Sequence, residues 1–219
     1  MPIIKITIMV EREMTLDDHK NEVSTFKLQR LAHSDDATPE MLADLAVNDK
    51  PSVRSGVAQN PACPVAQLDQ LAQEKHDFIR ESVARNKSCP PYILQKLATD
   101  PAIEVRIFVT SNPNTPVETL LQLAFCDPRK TVKAASRDAL KLKTAEYWSS
   151  KVKEGLSLAS HDEHWGGVSL GDTLLEEKGL AEVYQSIQAA ELNHRIGMAT
   201  SNVPTDDIAV PHSSGKLRM

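Results

Sequence analysis

Aromatic side chains are scarce in this 219-residue chain: two Trp, three Tyr and four Phe, 4% of the sequence. A core with so few rings has to close around Leu, Val and Ala, which favours helices packed through small and aliphatic side chains. Cysteine is equally sparse, with Cys63, Cys89 and Cys126 far apart and no C-x-x-C spacing, so thiolate metal or redox chemistry is not expected. There is no run of about 18 apolar residues, and no membrane span is expected. The opening MPIIKITIMVERE has a charge at Lys5 and no small-residue cleavage site. No secretory signal is therefore expected, and the cytoplasm is the default location. G-x-S-x-G, P-loop, Rossmann and paired-acid motifs are all missing, so the chain does not read as an enzyme.

The net charge is −5, unevenly spread. Residues 38–137 hold 12 Lys and Arg against 11 Asp and Glu, and residues 138–219 hold 8 against 12. A duplex-DNA binder normally has a clearly basic domain, and none is present.

An internal repeat is what the sequence does have. Leu42, Leu68, Leu94 and Leu120 are spaced by 26 residues, as are Leu45, Leu71, Leu97 and Leu123, and Ala46, Ala72, Ala98 and Ala124. A second set keeps the same step: Val53-Arg54, Ile79-Arg80 and Val105-Arg106, then Val57, Val83 and Val109, then Asn60, Asn86 and Asn112. The next unit slips by one residue to Val132-Lys133. Each unit reads as two short helices. The first opens on Thr or Cys as N-cap (Thr38, Cys63, Cys89, Thr115) followed by Pro, and carries Leu and Ala on one narrow stripe. The second reads as shorter, with V-R-x-x-V spacing and an Asn-Pro stop at Asn60-Pro61 and Asn112-Pro113. Such a pair cannot bury its stripe alone, and stacked neighbours bury it jointly.

The pattern TPxxLLxxLAxDPxxxVRxxVAxNP resembles the leucine-rich repeat variant family and is matched about four times across residues 38–137. HEAT-like repeats share the DPxxxVR element, but the Asn-Pro and Thr-Pro punctuation favours the variant family. The resemblance implies an all-α superhelical solenoid of alternating α- and 3₁₀-type helices. Some members carry an iron–sulfur cluster on an N-terminal cysteine group. Residues 1–37 contain no Cys, so no cofactor is carried over.

The organisation expected is then an N-terminal segment over 1–37, a repeat solenoid over 38–137, a helical extension over 138–199 and a disordered tail over 200–219. Phe26 to Ala32 reads as a half-repeat with the first-helix stripe at Leu28, Leu31 and Ala32. The IIKITIMV run is β-prone. Residues 138–157 read as a capping helix with Leu140, Ala145 and Trp148 inward. A Gly-rich loop follows over 158–171, then a helix over 172–195 interrupted at Gly179.

Among candidate site residues, Cys63 and Cys89 sit on neighbouring helices roughly 8–10 Å apart, beyond the Cα spacing of about 7 Å that a disulfide allows. The ladder Arg54, Arg80, Arg106 and Lys133 places one cation in each unit, as a phosphate-reading stripe would. The structural alternative pairs each with a nearby acid such as Asp49, Asp77 or Glu104, and the resemblance places this Arg in the framework. The Asn60, Asn86 and Asn112 ladder is expected to hold turns together. His161-Asp162-Glu163-His164 gathers ligand-type side chains, but a site would need a third ligand such as His194 or His212. The segment runs into Trp165-Gly166-Gly167, so loop is expected and no metal. In V-R-x-x-V the two x positions are expected to face outward. Ile107 and Phe108 there, with Arg85 as a charged rim, are the candidate anchors for a protein partner. The function expected is a non-enzymatic scaffold that binds another protein. The second reading is a nucleic-acid binder that uses the Arg ladder.

Overall fold

The computed structural model describes residues 25–161, 167–177 and 179–201. The β-prone start, His164, His212 and nearly all of the expected tail lie outside the described residues. The described residues are all-helical: twelve helices, no strand, and one isolated bridge between His161 and Ser169. The chain divides into two compact units after Leu142.

The first unit holds α1 (Thr25–His33), α2 (Pro39–Leu45), α3 (Pro51–Gln59), α4 (Val65–Leu71), α5 (Asp77–Arg85), α6 (Pro91–Leu97), α7 (Ile103–Ser111), α8 (Val117–Cys126) and α9 (Lys130–Lys141). The boundary read at 137/138 falls inside α9, whose Leu140 is buried on the same helix as Val132. Every Leu, Val, Ile and Ala of the 26-residue columns is buried, from Leu42 and Val53 to Ala124 and Val132. Packing links α1 to α3, α3 to α5, α5 to α7 and α7 to α9. These helices form one row, and α2, α4, α6 and α8 alternate with them along the chain.

The second helix of each pair is not the shorter one. Helices α3, α5 and α7 have nine residues each, against seven in α2, α4 and α6. Nor are they 3₁₀, as the family resemblance implies. The buried pairs Val53/Val57, Ile79/Val83 and Val105/Val109 are four apart. That spacing keeps both side chains on one face of an α-helix, whereas a 3₁₀-helix repeats every three.

Helix α1 belongs to the row of second helices: Leu31 and Ala32 stand 26 residues before Val57 and Ala58, and Ala32 receives the same Asn side-chain bond as Ala58 does one unit on. The N-caps are Thr38, Pro64, Pro90 and Pro116. Only Thr38 caps with its side chain, accepting from Met41 N at 3.3 Å. Cys63, Cys89 and Thr115 come one residue earlier and are buried, in the column that begins with Ala37.

Adjacent members of the row also interlock on the diagonal. The His33 ring lies against Gly56, where an added Cβ would meet its Cε1 and Nδ1 at 2.9 Å. One unit on, Gln59 Nε2 donates to Ser82 Oγ at 3.1 Å; the next step places Arg85 over Phe108. As the upper partner changes, the lower one is sized to receive it.

The second unit contains α10 (Ala145–Lys153), α11 (Leu170–Glu176) and α12 (Ala181–Ser201). Helices α10 and α11 pack on α12, burying Trp148, Val152, Leu170, Leu174, Val183 and Ile187. Ala145, read as inward, is exposed as the first residue past the Thr144 cap. Helix α10 ends where Gly155 takes φ 111°, with Gly155 N bonded to Val152 O and Leu156 N to Lys151 O. This is the paired closure that a left-handed residue after a helix allows.

Fully buried Leu71 faces the core while Gln70 beside it is exposed. Leu71→Ala is expected to lower unfolding free energy by about 2–5 kcal/mol, and Gln70→Ala by no more than about 0.5 kcal/mol. Urea denaturation followed by circular dichroism checks both.

Candidate functional site

The cation ladder is built by the second helices, and each guanidinium is consumed within the first unit. Arg80 Nε and Nη2 donate to the two carboxylate oxygens of Asp100 at 2.6 and 2.9 Å, and Nη1 donates to Glu74 O at 2.6 Å. Arg106 repeats this with Asp127 at 2.6 and 3.1 Å and Asp100 O at 2.6 Å. Arg54 donates to Glu74 and to Asn48 O, both at 2.7 Å. Their side chains are only 12%, 12% and 9% exposed. The carboxylate bond, ahead of every other influence, raises the Arg80 and Arg106 pKa above the ordinary value and keeps both charged. None of the partners is the expected Asp49, Asp77 or Glu104. Each Arg instead reaches the turn after the next helix along the chain (α4, α6 or α8), 20 or 21 residues on.

The acids are held in turn. Asp100 accepts from Ala102 N and Asp127 from Arg129 N, both at 2.8 Å. The sequence carries a signal for this column, since Asn48, Glu74 and Asp100 also step by 26. At the start of the row Leu28 stands in the Arg position and Asn48 in the acid position, so both charges are missing together. At the other end Lys133 keeps a backbone bond, Nζ to Phe125 O at 2.6 Å.

The Asn ladder is internal as well. Asn86 donates to Ala58 O and Asn60 O, both at 2.8 Å, while its own oxygen accepts from Ser88 N at 2.7 Å. Asn60 and Asn112 make the equivalent bonds to the unit before them. All three residues are at most 4% exposed. Cys63 and Cys89 are buried, and burial pushes their thiols up to about 12. A thiol so held is protonated at neutral pH and is a poor nucleophile or metal ligand.

The expected partner anchors come together, but in contact with each other. Ile107 and Phe108 are half-buried against the core, and the Arg85 guanidinium lies 3.7 Å from the centre of the Phe108 ring. Arg85 also pairs with Glu81 at 2.6 Å. The equivalent x residues Gly56 and Ser82 are buried, so these positions do not simply face outward. They take the diagonal contact from the preceding helix. His161 bridges to Ser169. Among the described residues no three His, Cys, Asp or Glu side chains gather as a metal site would require. No described helix is long and apolar enough to cross a membrane.

Comparison with protein-family models, with curated proteins and with solved structures finds no match.

Asp127 neutralises a nearly buried Arg106. Removing it with Asp127→Ala leaves that charge unpaired and is expected to cost about 3–5 kcal/mol. Chemical denaturation of the variant measures it; a loss under about 1 kcal/mol would place the pair among surface ion pairs.

Proposed function

We propose that the first unit is a helical-repeat solenoid of the leucine-rich repeat variant type, and that the chain is a non-enzymatic scaffold binding another protein through its repeat surface. The internal use of the polar ladders carries this reading. Arg54, Arg80 and Arg106 satisfy carboxylates and carbonyls of the same unit, and Asn60, Asn86 and Asn112 satisfy backbone. Large side chains exposed on this unit include Phe26, Val65, Phe78 and Tyr92. Aromatic side chains held at an open surface suit protein contacts. The nucleic-acid reading has less support, because Arg80 and Arg106 are bonded through Nε, Nη1 and Nη2 and Arg54 through Nε and Nη1, which leaves these guanidinium groups little for a phosphate. The scaffold reading gives residues of the second unit no catalytic role.

Affinity purification of the tagged full chain from its native lysate, with and without nuclease, tests the proposal. Protein partners are expected to stay bound after nuclease treatment and in about 0.3 M salt. Partners lost with the nucleic acid would speak for the second reading. So would direct oligonucleotide binding whose log affinity falls steeply against log salt, as phosphate neutralisation demands.

A further inference from the structure

Helix α12 is apolar on two sides. At 3.6 residues per turn, Val183, Ile187 and Ala190 fall along one side and are buried within the second unit, where α10 and α11 pack on this helix. Ala189, Leu192, Ile196 and Ala199 fall along the opposite side and are exposed, Leu192 at 54% and Ile196 at 53%. Steps of three, four and three residues separate them, the a/d spacing of a helix–helix seam. Earlier in the helix the same side carries exposed Glu182 and Gln185, so the apolar stripe is confined to residues 189–199.

The stripe reads the same from either end. Ala189 and Ala199 are equally far from His194, and so are Leu192 and Ile196. An antiparallel second copy centred on His194 therefore sets Leu192 against Ile196 twice, with Ala189 against Ala199 at both ends. Large side chains meet in the middle and methyl groups outside them. A two-fold interface needs a patch that is complementary to itself, and this stripe is one.

Charge along the seam is low. Asn193 and Thr200 border one edge, Gln188 and Arg195 the other. The Glu191 carboxylate is turned away, accepting from Ser157 Oγ and Leu158 N at 2.8 Å each. Only Arg195 meets its own copy near the two-fold axis, a like-charge contact at an exposed edge that costs little.

We propose that the outward stripe of α12 is a self-association site, where a second copy of the chain docks its own α12 antiparallel, Leu192 against Ile196. The proposal goes beyond the scaffold reading and does not depend on it; a pair formed in this way carries two repeat units. Eleven residues of helix offer a seam about 16 Å long. That is less surface than the roughly 1,200 Å² of a stable complex, so the dimer is weak and depends on concentration.

Sedimentation equilibrium of the full chain between about 10 µM and 1 mM is expected to show monomer and dimer, with Kd on the order of 100 µM. Leu192→Asp and Ile196→Asp should each weaken the dimer at least about tenfold, as loss of a central anchor does. Met198→Asp, at a residue 58% exposed but on the other side of the helix, should leave Kd within about twofold. The register is read by air oxidation of a mixture of Ala189→Cys and Ala199→Cys chains, with linked peptides identified by mass spectrometry. In the antiparallel pair positions 189 and 199 are opposite, whereas 189 and 189 are about 15 Å apart along the axis, too far for a disulfide. Links between 189 and 199 should therefore exceed 189–189 links about tenfold. Circular dichroism checks that the Asp variants keep their helix; if either loses it, the cysteine mixture, which leaves Leu192 and Ile196 in place, decides. A chain still monomeric at about 1 mM overturns the proposal, and it is the result expected if the chain covers its own stripe. A dimer indifferent to both Asp substitutions, or 189–189 links as frequent as 189–199 links, overturns it as well.

Discussion

The first unit depends on one small group, the side-chain amide of Asn60, Asn86 and Asn112. Each second helix stops at one of these residues, where its last carbonyls have no partner within the helix. The amide of the next unit's Asn donates both hydrogens to two such carbonyls, as Asn86 does to Ala58 O and Asn60 O. Its oxygen simultaneously holds the following turn by accepting from Ser88 N. A bond of this kind contributes about 0.5–1.5 kcal/mol net, but a buried carbonyl left without one costs more. The stop signal of one helix is therefore also the attachment point for the next, which is why the unit stacks with so few aromatic rings.

The Arg–carboxylate bonds lie along the same axis and run forward where the Asn bonds run back. Asn112 reaches Ala84 in the preceding unit while Arg106 reaches Asp127 in the following turn. A unit is thus tied on both sides. The ends of the ladder differ chemically from its middle: Leu28 opposite Asn48 at the start, and Lys133 on a carbonyl at the finish. At the start both charges are absent together, and half-buried Asn48 holds its turn by accepting from Lys50 N. The functional reading follows from this internal economy. On the proposed scaffold reading, the regular polar side chains look inward and recognition would fall to exposed residues such as Phe26, Phe78 and Tyr92.

The repeat period and the buried columns were legible from sequence because burial imposes the same residue at the same step. The polar network was only half legible. The Asn role could be read, since Asn at a helix stop has local backbone to bond, but the acid partners of Arg54, Arg80 and Arg106 are 20 or 21 residues away. Choosing the nearest acid in sequence misses a bond that crosses between units. The N-cap error at Cys63 and Cys89 arose from matching Thr38-Pro39 to Cys63-Pro64, although Leu42 and Leu68 place Thr38 opposite Pro64. The sequence shows the size of Phe108 but not the side chain that lies over its ring. Its size looked out of keeping beside Gly56 and Ser82, yet it matches the Arg85 guanidinium that covers it.

The most direct measurement compares one chemical change at two positions. Asn86→Asp keeps the volume but sets a carboxylate oxygen against Ala58 O and Asn60 O, where two hydrogens were donated. Asn48 uses only its oxygen, accepting from Lys50 N at 2.9 Å, and Asn48→Asp preserves that bond. At pH 7 the Asn86→Asp chain is expected to lose about 3 kcal/mol or more of unfolding free energy, since it gains a buried charge, leaves Ala58 O without its donor and leaves Asn60 O only the bond from Cys63 N. The Asn48→Asp chain is expected to stay within about 0.5 kcal/mol of the parent. Equal denaturation midpoints for the two variants would contradict the claim that the Asn amide ties each helix pair to the one before it.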